Sequence, residues 1–178
     1  MSPRRTTVPK RNLDPLRGQR FFREFTLGEL RRLSCLGSLC TYHDGELLAT
    51  EGTRKQRRTL YVVLQGEVKY LKWVRGGRAK TMLSLKPGDV GGFLTFFNDE
   101  PSPVSVQSIG RTRVFEIGRG ELHTLMADQP ALGAKVLLAL LQATAHRFER
   151  LLGRIAATSA WVLDLQHHLQ GLPLTREE

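Results

Sequence analysis

Hydrophobic positions follow three spacings along the chain. From Phe21 to Leu36 they recur at helical intervals, with Phe21, Phe25, Leu30 and Leu33 near one face. Thr26, followed three residues later by Glu29, forms a capping-box signature inside this stretch. From Leu39 to Ile117 the pattern changes to short apolar runs separated by turn residues. It predicts strands at Leu39–Tyr42, Leu47–Thr50, Thr59–Leu64, Glu67–Val74, Ala79–Leu85, Ser105–Ser108 and Arg113–Ile117. Turns are expected at Asp44-Gly45, Glu51-Gly52, Gln65-Gly66, Gly76-Gly77 and Pro87-Gly88-Asp89, and one or two helical turns over Gly92–Phe97. Many short strands at such spacing predict an all-β sandwich or barrel.

Helical spacing returns after Asp128, a cap residue, and Pro130, suited to a first turn. The apolar stripe then runs Leu137, Leu141, Thr144, Phe148, Leu151, Ile155, Thr158, Val162, Leu165, Leu169, Leu172. Steps of four and three alternate, giving a 3.5-residue repeat over about five heptads. The stripe is about 50 Å long at 1.5 Å per residue, more than a small domain covers, so it predicts a helix–helix seam and a homodimer. Two stripe positions are Thr, and Gly153 interrupts it; a fold-back of the segment after Gly153 is the competing expectation.

Met1–Arg20 holds three prolines and the basic residues Arg4, Arg5, Lys10, Arg11, Arg17 and Arg20, opposed by Asp14 alone. Low hydrophobicity with like charge predicts a flexible arm. The expected organisation is this arm over 1–20, a domain over 21–152 that includes the start of the long helix, and a helical extension and tail over 153–178.

The 178 residues carry a formal charge of +10, with 40% hydrophobic and 25% charged residues. One domain with a real core is expected, together with anionic partners. The arm residues Arg4, Arg5, Lys10 and Arg11 suit an acidic protein surface, or nucleic acid without sequence specificity. No apolar run is long enough for a membrane span, and the N-terminal residues do not read as a secretory signal, so a cytoplasmic protein is expected. The two cysteines, Cys35 and Cys40, are then expected to be reduced and buried. The five histidines make no metal spacing with them, and His167-His168 reads as a solvated helix face. Neither a Ser/His/Asp constellation nor a phosphate-binding loop nor paired catalytic carboxylates are apparent, so no enzyme is expected.

The order Gly45, Gly52, Leu60-Tyr61-Val62-Val63-Leu64-Gln65-Gly66-Glu67-Val68, Leu85-Lys86-Pro87-Gly88-Asp89 and Pro101 before Val104-Ser105-Val106 resembles the cyclic-nucleotide-binding-domain family. The resemblance covers roughly Phe21 to Leu152. It implies a jelly-roll β-barrel, mainly β with flanking helices, followed by a long C-terminal helix. The family serves as the sensor half of catabolite-activator-type transcription factors and in regulatory subunits of cyclic-AMP-dependent kinase. It often pairs along that long helix. Family transcription factors continue into a helix-turn-helix, and none is read after Leu152.

In the family a phosphate-binding cassette presents backbone N–H groups, a Glu for the ribose hydroxyl and an Arg for the phosphate. Here the cassette aligns with Gly91, Gly92, Phe93, Leu94 and Thr95, and then Ser102, Pro103, Val104 and Ser105. Gly92 matches the family glycine. Phe93 stands where the Glu belongs and Ser102 where the Arg belongs, and Pro103 removes a donor. No cofactor is therefore expected, and cyclic nucleotide is disfavoured. The expected function is a regulatory or scaffold module acting through protein–protein contacts. A sensor for a cyclic mono- or dinucleotide that signals to a separate partner, and a nucleic-acid-associated regulator, are the alternatives. Of the stripe, the seam is assigned to Leu137, Leu141, Thr144, Phe148, Leu151, Ile155, Val162, Leu165 and Leu169.

Overall fold

The computed structural model describes residues 4–7, 13–53, 58–74, 77–98 and 100–170, with side chains described from 13 to 165 of these. The chain divides into two compact units, Met1–Ala139 and Leu140–Glu178, so the division falls earlier along the long helix than the boundary expected after Leu152.

The first unit is an antiparallel sheet rolled about an apolar interior. Its strands are β1 (Arg4–Thr7), β2 (Ser38–Tyr42), β3 (Leu47–Ala49), β4 (Thr59–Val74), β5 (Arg78–Leu85), β6 (Val90–Gly91) and β7 (Ser105–Gly118). They lie in the order β1-β2-β7-β4-β5, with β3 also pairing β7 and β6 pairing β4. This is the jelly-roll expected from the resemblance. Alternate residues of β2, β4 and β7 point inward. Cys40, Tyr42, Tyr61, Val63, Val68, Tyr70, Leu85, Val106 and Val114 form one buried cluster.

Two pairs of expected strands are single strands here. Thr59–Leu64 and Glu67–Val74 are both β4, and Ser105–Ser108 and Arg113–Ile117 are both β7. The expected turn at Gln65-Gly66 is instead a bulge, where the β4–β7 register shifts on either side of Gln65. Gly66 lies at φ 82°, and a Cβ there would sit 2.7 Å from the Thr112 hydroxyl and 2.8 Å from the Arg111 carbonyl. A bulge and a turn call for the same residue, so the sequence signal does not separate them.

Helices flank the sheet. The helix expected from Phe21 is a 3-10 turn at Arg20–Phe22, then α2 over Leu27–Leu36, started by the Thr26–Glu29 capping box. The Phe22 ring meets Phe115 edge-on, with centroids 5.9 Å apart, and so ties this entry to the sheet. α4 (Arg119–Asp128) was not legible in the sequence. It begins without a side-chain cap and carries Gly120 in its first turn, and it shows only Leu122 and Leu125 buried. Asp128 consequently ends α4 rather than capping the next helix, and Gln129 alone separates it from α5 (Pro130–Gln170).

The expected flexible arm does not hold over its described residues. Arg4–Thr7 pairs antiparallel with Thr41–Ser38 of β2. The short α1 (Asp14–Arg17) buries Leu16 completely, and Leu13 is also buried. Paired backbone and a few well-placed leucines are enough to seat a segment whose average composition is basic and polar. Lys10 and Arg11 lie outside the described residues. Cys40 is buried as expected, whereas Cys35 is exposed on α2.

α5 runs unbroken through Gly153, so the chain does not fold back there. Thr144 and Thr158 donate their hydroxyls to the carbonyls of Leu140 and Arg154, four residues before each, at 2.8 and 2.9 Å. That bond lets threonine sit on the stripe without an unsatisfied hydroxyl.

Candidate functional site

The cassette hangs from β4. After the Pro87-Gly88-Asp89 turn, β6 pairs Val90 with Val62 and Gly91 with Tyr61. Both following glycines are demanded by contact. A Cβ on Gly91 would lie 2.2 Å from the Tyr61 ring, and one on Gly92 would lie 2.1 Å from the Thr59 carbonyl oxygen. Gly92 also takes φ 94°, in the left-handed region that side chains avoid. It caps α3 (Phe93–Phe96), a single turn. Thr95 donates its hydroxyl back to the Gly92 carbonyl at 3.2 Å.

Two tyrosines close the cassette from the inside. The Tyr61 hydroxyl donates to that of Tyr70 at 3.0 Å, and Tyr70 in turn accepts the Gly92 N–H at 3.3 Å. Both rings are buried. Tyr61 entered the sequence reading only as part of the family motif, and Tyr70 only within an expected strand; neither was given a role at the cassette. Only the pairing of β4 with β6 brings them to Gly92.

Phe93, at the position of the family's ribose-binding Glu, is half-buried, and Leu94 beside it is exposed. Ser102, at the position of the Arg, is buried, and its polar groups are turned to the chain itself. Its hydroxyl donates to the Val104 carbonyl at 2.7 Å, its N–H to Thr53 at 3.2 Å, and its carbonyl accepts the Gly52 N–H at 2.8 Å. Pro103 is exposed, Val104 half-buried and Ser105 buried.

The described cation at this end of the cassette is Lys72. Its ammonium donates to the Glu51 carboxylate at 2.5 Å and to the Pro103 carbonyl at 2.8 Å. Glu51 also accepts the Trp73 N–H at 3.2 Å, while its own N–H donates to Ser105 Oγ at 3.0 Å. The Lys72 hydrogen bond, helped by the Trp73 N–H, holds the Glu51 carboxyl below the usual carboxylate range. At the other end, Arg119 donates to the Phe96 carbonyl and places its guanidinium 5.8 Å from the Phe96 ring centre. Lys72, Glu51 and Arg119 were invisible to motif reading because their roles depend on strand register and helix placement.

The structure seats Gly91 and Gly92 against Thr59, Tyr61 and Tyr70, and Ser102 to Ser105 against Glu51, Gly52, Thr53 and Lys72. On α5, Leu141, Thr144, Phe148, Ile155, Val162 and Leu165 are exposed, and Leu137 and Leu151 half-buried. The Leu169 side chain and the residues from 171 lie outside the described set. No helix among the described residues is long and apolar enough to cross a membrane.

This chain belongs to the cyclic nucleotide-binding domain family, which it matches over residues 39–129, just over half its length. It is similar to a CRP-like cAMP-activated global transcriptional regulator of Mycobacterium tuberculosis, 28% identical over 96 residues. Those residues are 54% of this chain and 42% of that protein, so the match spans less than half of the curated relative. In structure it resembles a cyclic nucleotide-binding domain from Methylobacillus flagellatus KT, with a TM-score of 0.72 and 27% identity, covering 82% of this chain and 81% of that one. It also resembles the N-terminal domain of a transcriptional regulator from Streptomyces coelicolor A3(2), with a TM-score of 0.60 and 26% identity over 77% of this chain and 94% of that one. Two of these three are described as transcriptional regulators.

Proposed function

We propose that this chain is a non-catalytic regulatory module that has lost cyclic nucleotide binding and acts through protein–protein contacts as a homodimer. One observation carries the loss of ligand. The cassette keeps its glycine frame, yet Phe93 and Ser102 stand in place of the two charged ligand contacts, and Tyr70 takes the Gly92 N–H. Phe93 cannot accept a ribose hydroxyl, and Ser102 brings no charge to a buried phosphate. Each missing charge-assisted bond weakens binding by about 1.5–3 kcal/mol, so the two together remove two to three orders of magnitude or more. Calorimetry with cyclic AMP and cyclic GMP is expected to show no saturable binding below about 100 μM. A one-to-one dissociation constant in the low micromolar range would overturn the reading and favour a ligand sensor.

The long helix supports the dimer. Leu141, Phe148, Ile155 and Val162 are 66%, 61%, 62% and 43% exposed, a contiguous apolar stripe of a kind that single chains rarely leave to water. A second copy of α5 buries it by coiled-coil packing. Light scattering at micromolar concentration is expected to give twice the chain mass, and Ile155→Asp to reduce it to one. A wild-type mass of one chain refutes the dimer.

We propose that Arg4, Arg5, Lys10 and Arg11 supply charge for binding an acidic protein partner. Changing them to Ala should weaken capture of that partner more at low salt than at high salt.

A further inference from the structure

Between Val68 and Gly88 the chain carries six cations, Lys69, Lys72, Arg75, Arg78, Lys80 and Lys86, and no acidic residue. Lys69 and Lys72 lie on β4 and Arg78 and Lys80 on β5, and these two strands outrun the rest of the sheet. The register of β4 with β7 ends at Leu71–Ser105, whereas its register with β5 continues to Val74–Arg78. Lys72–Val74 and Arg78–Lys80 thus form a two-stranded projection, with β5 at the sheet edge. Lys72 faces Lys80 directly across the ladder, an arrangement that opposes strand pairing. Glu51 answers Lys72, and the charge of Arg78 and Lys80 remains on the exposed projection.

The apolar side chains there are equally out of place for a sheet edge. Trp73 is 58% exposed, Val74 42% and Met82 43%. Consecutive strand residues point to opposite faces, so Trp73 and Val74 put apolar surface on both sides of the projection. Apolar groups on both faces, ringed by cations, match end-on insertion into the head-group layer of an anionic bilayer. Tryptophan favours that interface, lysine and arginine reach along it, and the negative surface attracts them. From Lys72 to Val74 the projection is about 7 Å long at roughly 3.3 Å per residue, within the 5–10 Å depth of interfacial insertion.

We propose that the β4–β5 projection is a membrane-surface anchor that takes an anionic phospholipid bilayer through Trp73, Val74, Arg78 and Lys80. The four anchor side chains are neither cassette positions nor on α5, so neither the nucleotide nor the dimer reading affects the proposal.

The chain has two tryptophans, Trp73 and Trp161, so Trp161→Phe leaves Trp73 as a lone reporter. Full-length Trp161→Phe protein is mixed with vesicles of phosphatidylcholine, with or without phosphatidylglycerol. Its emission is expected to move to the blue with phosphatidylglycerol and to stay unchanged without it. In co-sedimentation on the same vesicles, Trp73→Ala is expected to lower partitioning about tenfold. Neutralising Arg78 or Lys80 with Gln is expected to lower it about fivefold each, and added salt to weaken it further. Circular dichroism confirms that each variant is folded, and the reporter shift does not depend on any change at the tip. The proposal fails if phosphatidylglycerol vesicles neither sediment the protein nor shift Trp73. It fails equally if Trp73→Ala binds like wild type, or if a single-stranded oligonucleotide displaces the vesicles through these same residues.

Discussion

Two stretches of the barrel lie against each other and obey different constraints. Along β4 and into β6, each position is held by a neighbour: Val63 and Val68 are fully buried, Tyr61 and Tyr70 share a hydrogen bond, and Gly91 and Gly92 leave no room for a Cβ. One residue further on, Phe93 is only half-buried, Leu94 is 47% exposed and Phe97 54%. Across the cassette, Ser102 turns every polar group back onto the chain. The glycine frame is closely packed, while the positions that the resemblance gives to the two charged contacts hold a half-buried Phe93 and a Ser102 bonded to the chain itself. Close packing penalises any change in the frame through the stability of the whole domain. Ligand contacts carry no such penalty, so they can be lost while the fold stays. The same contrast appears on α5, where Leu132, Val136 and Leu140 are buried but Leu141, Phe148 and Ile155 are exposed.

The contrast can be broken most sharply at the glycines. Gly92→Ala combines a 2.1 Å clash with backbone at Thr59 and a forbidden φ of 94°, and is expected to cost 3 kcal/mol or more, on the order of a large single-mutant effect. Urea unfolding measures it. The adjacent Phe93→Glu should change stability by less than about 1 kcal/mol, since the side chain is half-exposed. Equal effects of the two would erase the distinction between frame and ligand positions.

Tyr70→Phe is a milder test. It removes the acceptor for the Tyr61 hydroxyl and the Gly92 N–H, and the expected cost is about 1–3 kcal/mol, with the fold retained. No measurable loss in the unfolding midpoint would mean that the two tyrosines do not brace the cassette.

On the helix, Ile155→Asp is expected to leave the melting of the isolated chain within about 0.5 kcal/mol of wild type, because Ile155 is 62% exposed. Val136→Ala, at a 3% exposed position, should cost about 2 kcal/mol or more. Calorimetric melting at low protein concentration separates the two.

The smallest effect concerns acid. The Lys135 hydrogen bond, followed by the Thr26 N–H, lowers the Glu29 carboxyl below its ordinary 4.5. A group depressed in the folded state adds stability above its unfolded value and loses that gain as pH falls through the folded value. Stability should therefore begin to fall below about pH 4.5. Because the pair is partly exposed and screened by water, Glu29→Gln should flatten this acid limb by only a few tenths of a kcal/mol to about 1 kcal/mol. Identical acid limbs for the two proteins, followed by circular dichroism, would remove Glu29 from the account.

Local order was written plainly along the chain. Short apolar runs between turn residues marked the strands from β2 onward, the Thr26–Glu29 box started α2, Pro130 started α5, and the four-three stepping gave its stripe. That Phe93 and Ser102 carry no charge was legible in the sequence alone, because charge is a property of residue type. What tertiary structure alone decided is everything that depends on partners distant in sequence. Gly66 became a bulge because Thr112 and Arg111 lie against it. Arg4–Thr7 became a strand because β2 offered an open edge. Tyr61, Tyr70, Lys72 and Glu51 acquired roles only when β4 paired with β5, β6 and β7. Propensity and periodicity act over a few residues, whereas register and burial are set by contacts between segments tens of residues apart, which a single sequence does not display.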